Sequence, residues 1–296
     1  MKNWLKYGGV GFFGIISLWL ISGCQIRATN SPPDKAIKTV ETIQKTKQIR
    51  QSFVPTLFFH GYNGTVHSFK GMIQRLEETG SGKKELTLTV DVNGQVQAKG
   101  ELSKKAVNPM IQVLFADNKN NERNQTEWIK ACLVYLQATY GVNQVNVVGH
   151  SMGGVSALRY LATYGQDKTV PKVKKFVAIA APFNDFEEDS TQNLVDELKN
   201  GPAVVSNRYQ DYQQLIGNIP TTTQILLLAG QLSDTDLSDG TVPLNSALAV
   251  YALLKQHGNT IAEKIITGKN TTHSMLHENQ EVDASIRQFI WNIEES

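Results

Sequence analysis

Cysteine is nearly missing from this chain of 296 residues, which has only Cys24 and Cys132. If Cys24 serves another purpose, Cys132 has no partner and no intrachain disulfide can form. Cys132 itself falls in an apolar helical pattern with Trp128, Tyr135 and Leu136, which reads as core filler rather than a reactive thiol. An excess of one charge is missing too: 29 basic residues stand against 27 acidic ones, for a formal net charge of +2. Nothing in that balance steers the protein towards nucleic acid or an acidic polymer. Internal repeats and low-complexity blocks are absent, which removes repeat architectures from consideration. Only one long apolar run occurs, from Tyr7 to Ser22, and it is marginal for a membrane span because glycines interrupt it at 8, 9, 11 and 14.

That run has a different use. Lys2 and Lys6 precede it and Ile21-Ser22-Gly23-Cys24 follows, the order of a charged region, an apolar region and small residues before a cut site. The ending resembles a bacterial lipobox, in which the cysteine becomes the lipidated first residue of the mature protein. Residues 1–23 are therefore expected to be a lipoprotein-type signal peptide. Two or more acyl chains on Cys24 would hold the protein stably on a membrane, exported to its extracellular face. Removing residues 1–23 takes away two lysines and no acid, leaving 27 basic against 27 acidic groups. Residues 24–52 are polar, with Ser31-Pro32-Pro33, and read as a tether.

From Phe53 onward the pattern alternates between β-branched or apolar runs and helical periodicity. Such alternation predicts an α/β fold with a mostly parallel sheet covered on both faces. Strands are expected at 55–59, 110–115, 145–148, 173–180, 224–228 and 260–266. Two more, at 86–92 and 95–99, flank Asn93-Gly94, a strong hairpin signal. Helices are expected at about 65–78, 125–140, 155–164, 191–199 and 244–255. A last helix carries one apolar stripe through Val282, Ile286, Phe289, Ile290 and Ile293. Residues 183 to about 220 interrupt the rhythm and read equally as a small cap or as a packed surface excursion.

The most informative segment is Val145-Asn-Val-Val-Gly149-His-Ser151-Met-Gly153-Gly154. A β-branched run stops at Gly-x-Ser-x-Gly and passes into a helical stretch, the order of strand, sharp turn and helix. A lone Gly-x-Ser-x-Gly is weak evidence, but this context makes Ser151 a candidate nucleophile at the apex of an elbow. Gly149 and Gly153 are required there because a β-carbon at either position would collide with a neighbouring strand or helix. A serine hydroxyl is a poor nucleophile at neutral pH and needs a base beside it, with a carboxylate to hold that base. In the α/β-hydrolase arrangement these follow in the order Ser, acid, His, after later strands.

Six histidines compete for the role of base. His60 and His150 belong to turn motifs, His67 precedes the serine and His257 ends a helix. His273 and His277 follow the last strand; His273 lies nearer the strand end and is preferred. His277 reads as a surface or capping residue. Asp234, Asp236 and Asp239 lie in the loop after 224–228. Asp239, in a tight Asp-Gly-Thr-Val-Pro turn feeding a helix, is preferred, with the other two left as alternatives. This acidic loop is not an EF-hand, because Asp239 occupies the place of the required glycine. Donors for a developing oxyanion should be the N–H groups of Met152 and Tyr62, the latter in the loop after the first strand, where His60 is expected to brace by hydrogen bonds.

Phe58-Phe-His60-Gly61, Gly149-His-Ser-Met-Gly-Gly154, Ser238-Asp239-Gly-Thr-Val-Pro243 and His273-Ser-Met-Leu-His277 occur together in this order. As a set they resemble a family of bacterial α/β-hydrolases of uncharacterised function, often secreted or lipid-anchored, within the lipase/esterase superfamily. The resemblance covers residue 53 to the end. It implies an α/β-hydrolase fold over 53–296 and a serine hydrolase with Ser151, Asp239 and His273 as triad. The expected substrate is a small-molecule or lipid acyl ester, handled by a monomer without cofactor, metal or nucleic acid. The same parts would serve a thioesterase, an amidase or an acyltransferase. A non-catalytic binding protein on the same scaffold is the rival from another class.

Overall fold

The structure is a computed structural model that describes residues 52–186 and 193–293. The expected signal peptide, Cys24 and the expected tether up to residue 51 lie outside the described residues. Among those described, no helix is long and apolar enough to cross a membrane.

Eight strands form one sheet, in the order β3-β2-β4-β1-β5-β6-β8-β9. They are β1 (Thr56–Phe59), β2 (Lys83–Val90), β3 (Val96–Gly100), β4 (Pro109–Phe115), β5 (Gln144–His150), β6 (Lys172–Ile179), β8 (Gln224–Gln231) and β9 (Ile261–Thr267). Only β3, at one edge, runs antiparallel, paired with β2. The short extended segment β7 (Phe183–Phe186) lies outside this sheet.

The central strands are apolar without alternation because both faces are covered. In β1, Leu57 and Phe59 belong to one core with Trp128, Leu133 and Leu158. Phe58, pointing the other way, belongs to a second core with Phe69, Met72 and Ile286. The first core packs under α2 (Glu122–Tyr140) and α3 (Met152–Tyr164). The second packs under α1 (His67–Glu78) and α8 (Gln280–Trp291). Cys132 is fully buried in the first core, and burial raises its thiol far above its usual range.

Helix ends follow local chemistry. Asn121 Oδ1 accepts the Asn124 N–H at 3.0 Å at the start of α2, and Gly141 at φ 67° ends it. The hairpin departs from the two-residue turn that Asn-Gly suggests. Asn93 keeps a negative φ and only Gly94 is left-handed, at φ 79°. Asp91 Oδ1 instead takes the N–H groups of Asn93 and Gln95, at 2.9 and 2.8 Å. The competing Asx interaction lengthens the connection to three residues. The helix expected over 244–255 is two short ones, α6 (Leu244–Leu248) and α7 (Val250–His257), meeting at Ala249.

The 183–220 excursion contains β7, α4 (Leu194–Asn200) and α5 (Asn207–Leu215). It is anchored in the first core, where Phe183, Tyr209 and Tyr212 are buried. The Tyr212 hydroxyl donates to the Val155 carbonyl of α3 at 3.2 Å. If the excursion folds as part of the domain, Tyr212→Ala should lower the unfolding free energy by about 3–5 kcal/mol, the range for large aromatic truncations. Denaturant unfolding measures this; a loss below about 1 kcal/mol would mean the excursion is energetically detached.

Candidate active site

The loops carrying the candidate catalytic and oxyanion residues all emerge at the carboxyl ends of parallel strands. Ser151 follows β5, Asp239 follows β8, His273 follows β9, and the His60–Tyr62 loop follows β1. A parallel sheet sends all these loops to the same edge, where such folds place their binding crevices.

Ser151 sits at φ 54°, ψ −126°, a region that residues with a β-carbon rarely occupy, costing about 1–3 kcal/mol. Its N–H is held by Ile179 O at 2.8 Å, and its carbonyl accepts from Gly154 and Val155 N–H at 2.9 and 3.2 Å. The turn is tight enough that side chains are excluded around it. A β-carbon on Gly149 would lie 2.6 Å from Gly154 N, and one on Gly153 would lie 2.3 Å from Phe59 O.

Beside this apex His273 Nε2 lies 2.9 Å from Ser151 Oγ, and His273 Nδ1 lies 2.7 Å from Asp239 Oδ2. A carboxylate facing Nδ1 fixes the proton there, so Nε2 presents a lone pair to the serine hydroxyl. Asp239 is 1% exposed, and its other oxygen accepts the Thr241 and Val242 N–H groups at 2.9 and 2.7 Å. The Asp-Gly-Thr-Val turn thus holds the carboxylate, with Gly240 at φ 83° making the corner. The His273 N–H also donates to Asp239 O at 2.9 Å, tying the two loops together. Asp234 and Asp236 are exposed in the same loop. Asp236 accepts a hydrogen bond from Ser238 at 2.6 Å and lies in the local turn.

His277, expected as a surface or capping residue, is half-buried. Its ring lies 5.2 Å edge-on from that of His150, and its Nδ1 is 3.3 Å from Glu278 Oε1. His150 is buried behind the serine and donates from Nε2 to the His273 carbonyl at 2.9 Å, with the two rings 4.7 Å apart. Burial and the neighbouring histidines push the His150 pKa well below its ordinary value; burial lowers that of His277 as well. His60 braces the first loop. It accepts the Phe115 N–H on Nε2 at 3.0 Å and donates from Nδ1 to Gly61 O at 2.8 Å. Desolvation lowers its pKa too.

A cavity of about 390 Å³ opens over Ser151 and His273. Tyr62 and Met152 line it, and neither backbone N–H has an acceptor among the described residues. The wall also includes Phe186, Arg208 and Thr241, which sequence reasoning missed. Arg208 reaches the site only through the excursion and its bonds to Glu122, 86 positions away, so no local pattern marks it. Among the described residues no group of three or more His, Cys, Asp or Glu is placed to hold a metal ion.

Residues 43–293 match the family described as alpha/beta hydrolase of unknown function (DUF915). The chain belongs to this family. The product of the lin2722 gene of Listeria innocua has a similar crystal structure, with 30% sequence identity and a TM-score of 0.75, over 82% of this chain and 96% of that one. A Lactobacillus plantarum protein described as a candidate cell surface hydrolase shares the fold, at 24% identity and a TM-score of 0.67, over 82% of this chain and 93% of that one. No curated protein matches the chain.

The buried histidines give this DUF915 member a specific acid sensitivity. With the folded pKa of His60, His150 and His277 lowered, the unfolded chain binds more protons once the pH falls below the ordinary histidine value of 6.5. Stability is therefore complete above that pH and lost below it, by up to about 1.4 kcal/mol per pH unit for each histidine that stays neutral. Urea unfolding between about pH 7 and 5 should show this decline, with a smaller slope in His150→Gln. Equal slopes in the two proteins would mean that His150 does not stay neutral on folding.

Proposed function

We propose that this protein is a serine hydrolase cleaving carboxylic esters through an acyl-enzyme on Ser151. The observation supporting this reading is the unbroken line from Asp239 through His273 to Ser151, with contacts of 2.7 and 2.9 Å at the floor of a cavity. His273 Nε2 takes the hydroxyl proton as Ser151 Oγ attacks the acyl carbonyl, and Asp239 stabilises the imidazolium that forms. The Tyr62 and Met152 N–H groups donate to the oxyanion. The bond to the alcohol then breaks, and the alcohol leaves with the proton from His273. Water, deprotonated by the same nitrogen, attacks the acyl-enzyme and frees the acid.

A fluorophosphonate probe should label the purified protein at Ser151, and Ser151→Ala should abolish labelling. An unlabelled wild-type protein would favour the non-catalytic scaffold. Asp239→Asn should lower kcat by about 10⁴; a fall of less than about tenfold would remove Asp239 from the triad.

The organisation proposed around this domain is a signal peptide at 1–23, a tether at 24–52 and the hydrolase domain at 53–296, acting as a monomer. Lipidated Cys24 would hold it on the outer face of the cell membrane. Radiolabelled palmitate should enter the wild-type protein and be lost in Cys24→Ala. Incorporation that survives the substitution would eliminate this anchor.

A further inference from the structure

Arg208 brings a fixed cation to the cavity wall. It is contributed by α5, and its side chain is 17% exposed. Its guanidinium is held at two of its three nitrogens. Nε donates to Glu122 Oε2 at 2.5 Å, and Nη1 donates to Pro182 O at 2.8 Å and to the Asp185 carboxylate. Nη2, with two N–H groups, has no acceptor among the described residues. Otherwise the wall is made largely of Val155, Pro182, Phe186 and Met152, with no other permanently charged side chain in it. The guanidinium is therefore preorganised, with two of its five N–H donors open, and binding a substrate group there costs the protein little conformational freedom.

The surrounding charges narrow the ligand. Arg159 donates from Nε to Glu122 Oε1 at 2.7 Å and from Nη1 to Asp211 Oδ2 at 2.9 Å, and Arg123 reaches the same Asp211 oxygen at 3.1 Å. Three guanidiniums face three carboxylates, counting Asp185. The cluster is neutral as a whole, so Arg208 offers an anionic substrate group the two N–H donors of Nη2 rather than a surplus charge, which suits a singly charged carboxylate better than a phosphate dianion.

We propose that Arg208 is a specificity-determining residue, and that the preferred substrates are esters carrying a carboxylate remote from the scissile carbonyl, as in a dicarboxylic acid monoester. The inference rests on the serine hydrolase reading and names the substrate class for that same cavity. Arg208 binds the remote carboxylate through Nη2, while Ser151 attacks the ester carbonyl at the other end.

The test measures kcat/KM by acid titration at about pH 7.5, where such carboxylates are ionised. Monomethyl esters of malonic, succinic, glutaric, adipic and suberic acid are compared with methyl esters of monocarboxylic acids of matched length. The carboxylate ester should be preferred at one length or more by about tenfold or greater, the scale of a charge-assisted hydrogen bond. In Arg208→Gln that ratio should collapse to about one, chiefly through KM, and Arg208→Lys should keep part of it. A wild-type protein labelled by fluorophosphonate but indifferent to the carboxylate at every length overturns the inference and leaves the hydrolase standing. A preference that survives Arg208→Gln overturns it too. If the wild type is neither labelled nor active on any ester, the hydrolase reading falls and takes this inference with it. Should Arg208→Gln not fold, competition on the wild type decides: free adipate must slow fluorophosphonate labelling at lower concentration than hexanoate does, and equal potency refutes the proposal.

Discussion

The tightest constraint in this protein is a backbone crossing. The turn after β5 passes so near the end of β1 that no β-carbon fits at position 153 without meeting the Phe59 and His60 carbonyls, at 2.3 and 2.6 Å. The same closeness puts a β-carbon on Gly61 at 2.8 Å from the Ser151 β-carbon. Everything else at the site is arranged around that crossing. It forces Ser151 into its strained conformation, lifts the hydroxyl above the sheet edge, and brings the Tyr62 loop to the same cavity. Strain of this kind persists only where surrounding structure over-determines it. Here the over-determination is visible in Ile179 O on the Ser151 N–H, in β1 and β5 paired up to Phe59 and Gly149, and in the helix that starts at Met152.

The two loops that supply the imidazole and the carboxylate are fixed by the backbone as much as by side chains. Asp239 binds His273 twice, through Oδ2 to Nδ1 and through its carbonyl to the His273 N–H. His150 binds the His273 carbonyl from behind. The imidazole loop is therefore held by one neighbour from the serine elbow and one from the carboxylate turn. A neutral His150 suits this position, because a second cation 4.7 Å from the His273 ring would oppose the imidazolium that the proposed acyl transfer requires.

Much of this is legible in the sequence where the signal is local. Uninterrupted apolar strands such as Thr56–Phe59 can only be buried on both faces, and the structure covers them on both. The elbow is legible because strand, glycine, serine and glycine follow one another within a few residues. Choosing among Asp234, Asp236 and Asp239 is harder, since all three suit a turn; burial and two backbone N–H donors distinguish Asp239 in the structure. The Asn-Gly pair misleads about the hairpin, because the Asp91 side chain competes for backbone N–H groups that the pair alone would leave to the turn. His277 reads as a surface or capping residue because nothing local shows that a fold would set it against His150, 127 positions earlier.

Arg208 shows why the remainder is illegible. Its environment consists of Glu122 from the start of α2, Pro182 and Asp185 from the segment after β6, and Arg159 across the shared carboxylate. A buried cation is tolerated only when each charge finds a partner, so these residues constrain one another as a group. Removing Glu122 would take one carboxylate partner from two guanidiniums at once, leaving Arg159 on Asp211 and Arg208 on Asp185, so that carboxylate is one joint between the excursion and the sheet domain. The same joint fixes where the guanidinium stands in the cavity. The proposed selectivity and the packing of the excursion thus rest on one ion network, joined through Glu122, Asp211 and Asp185.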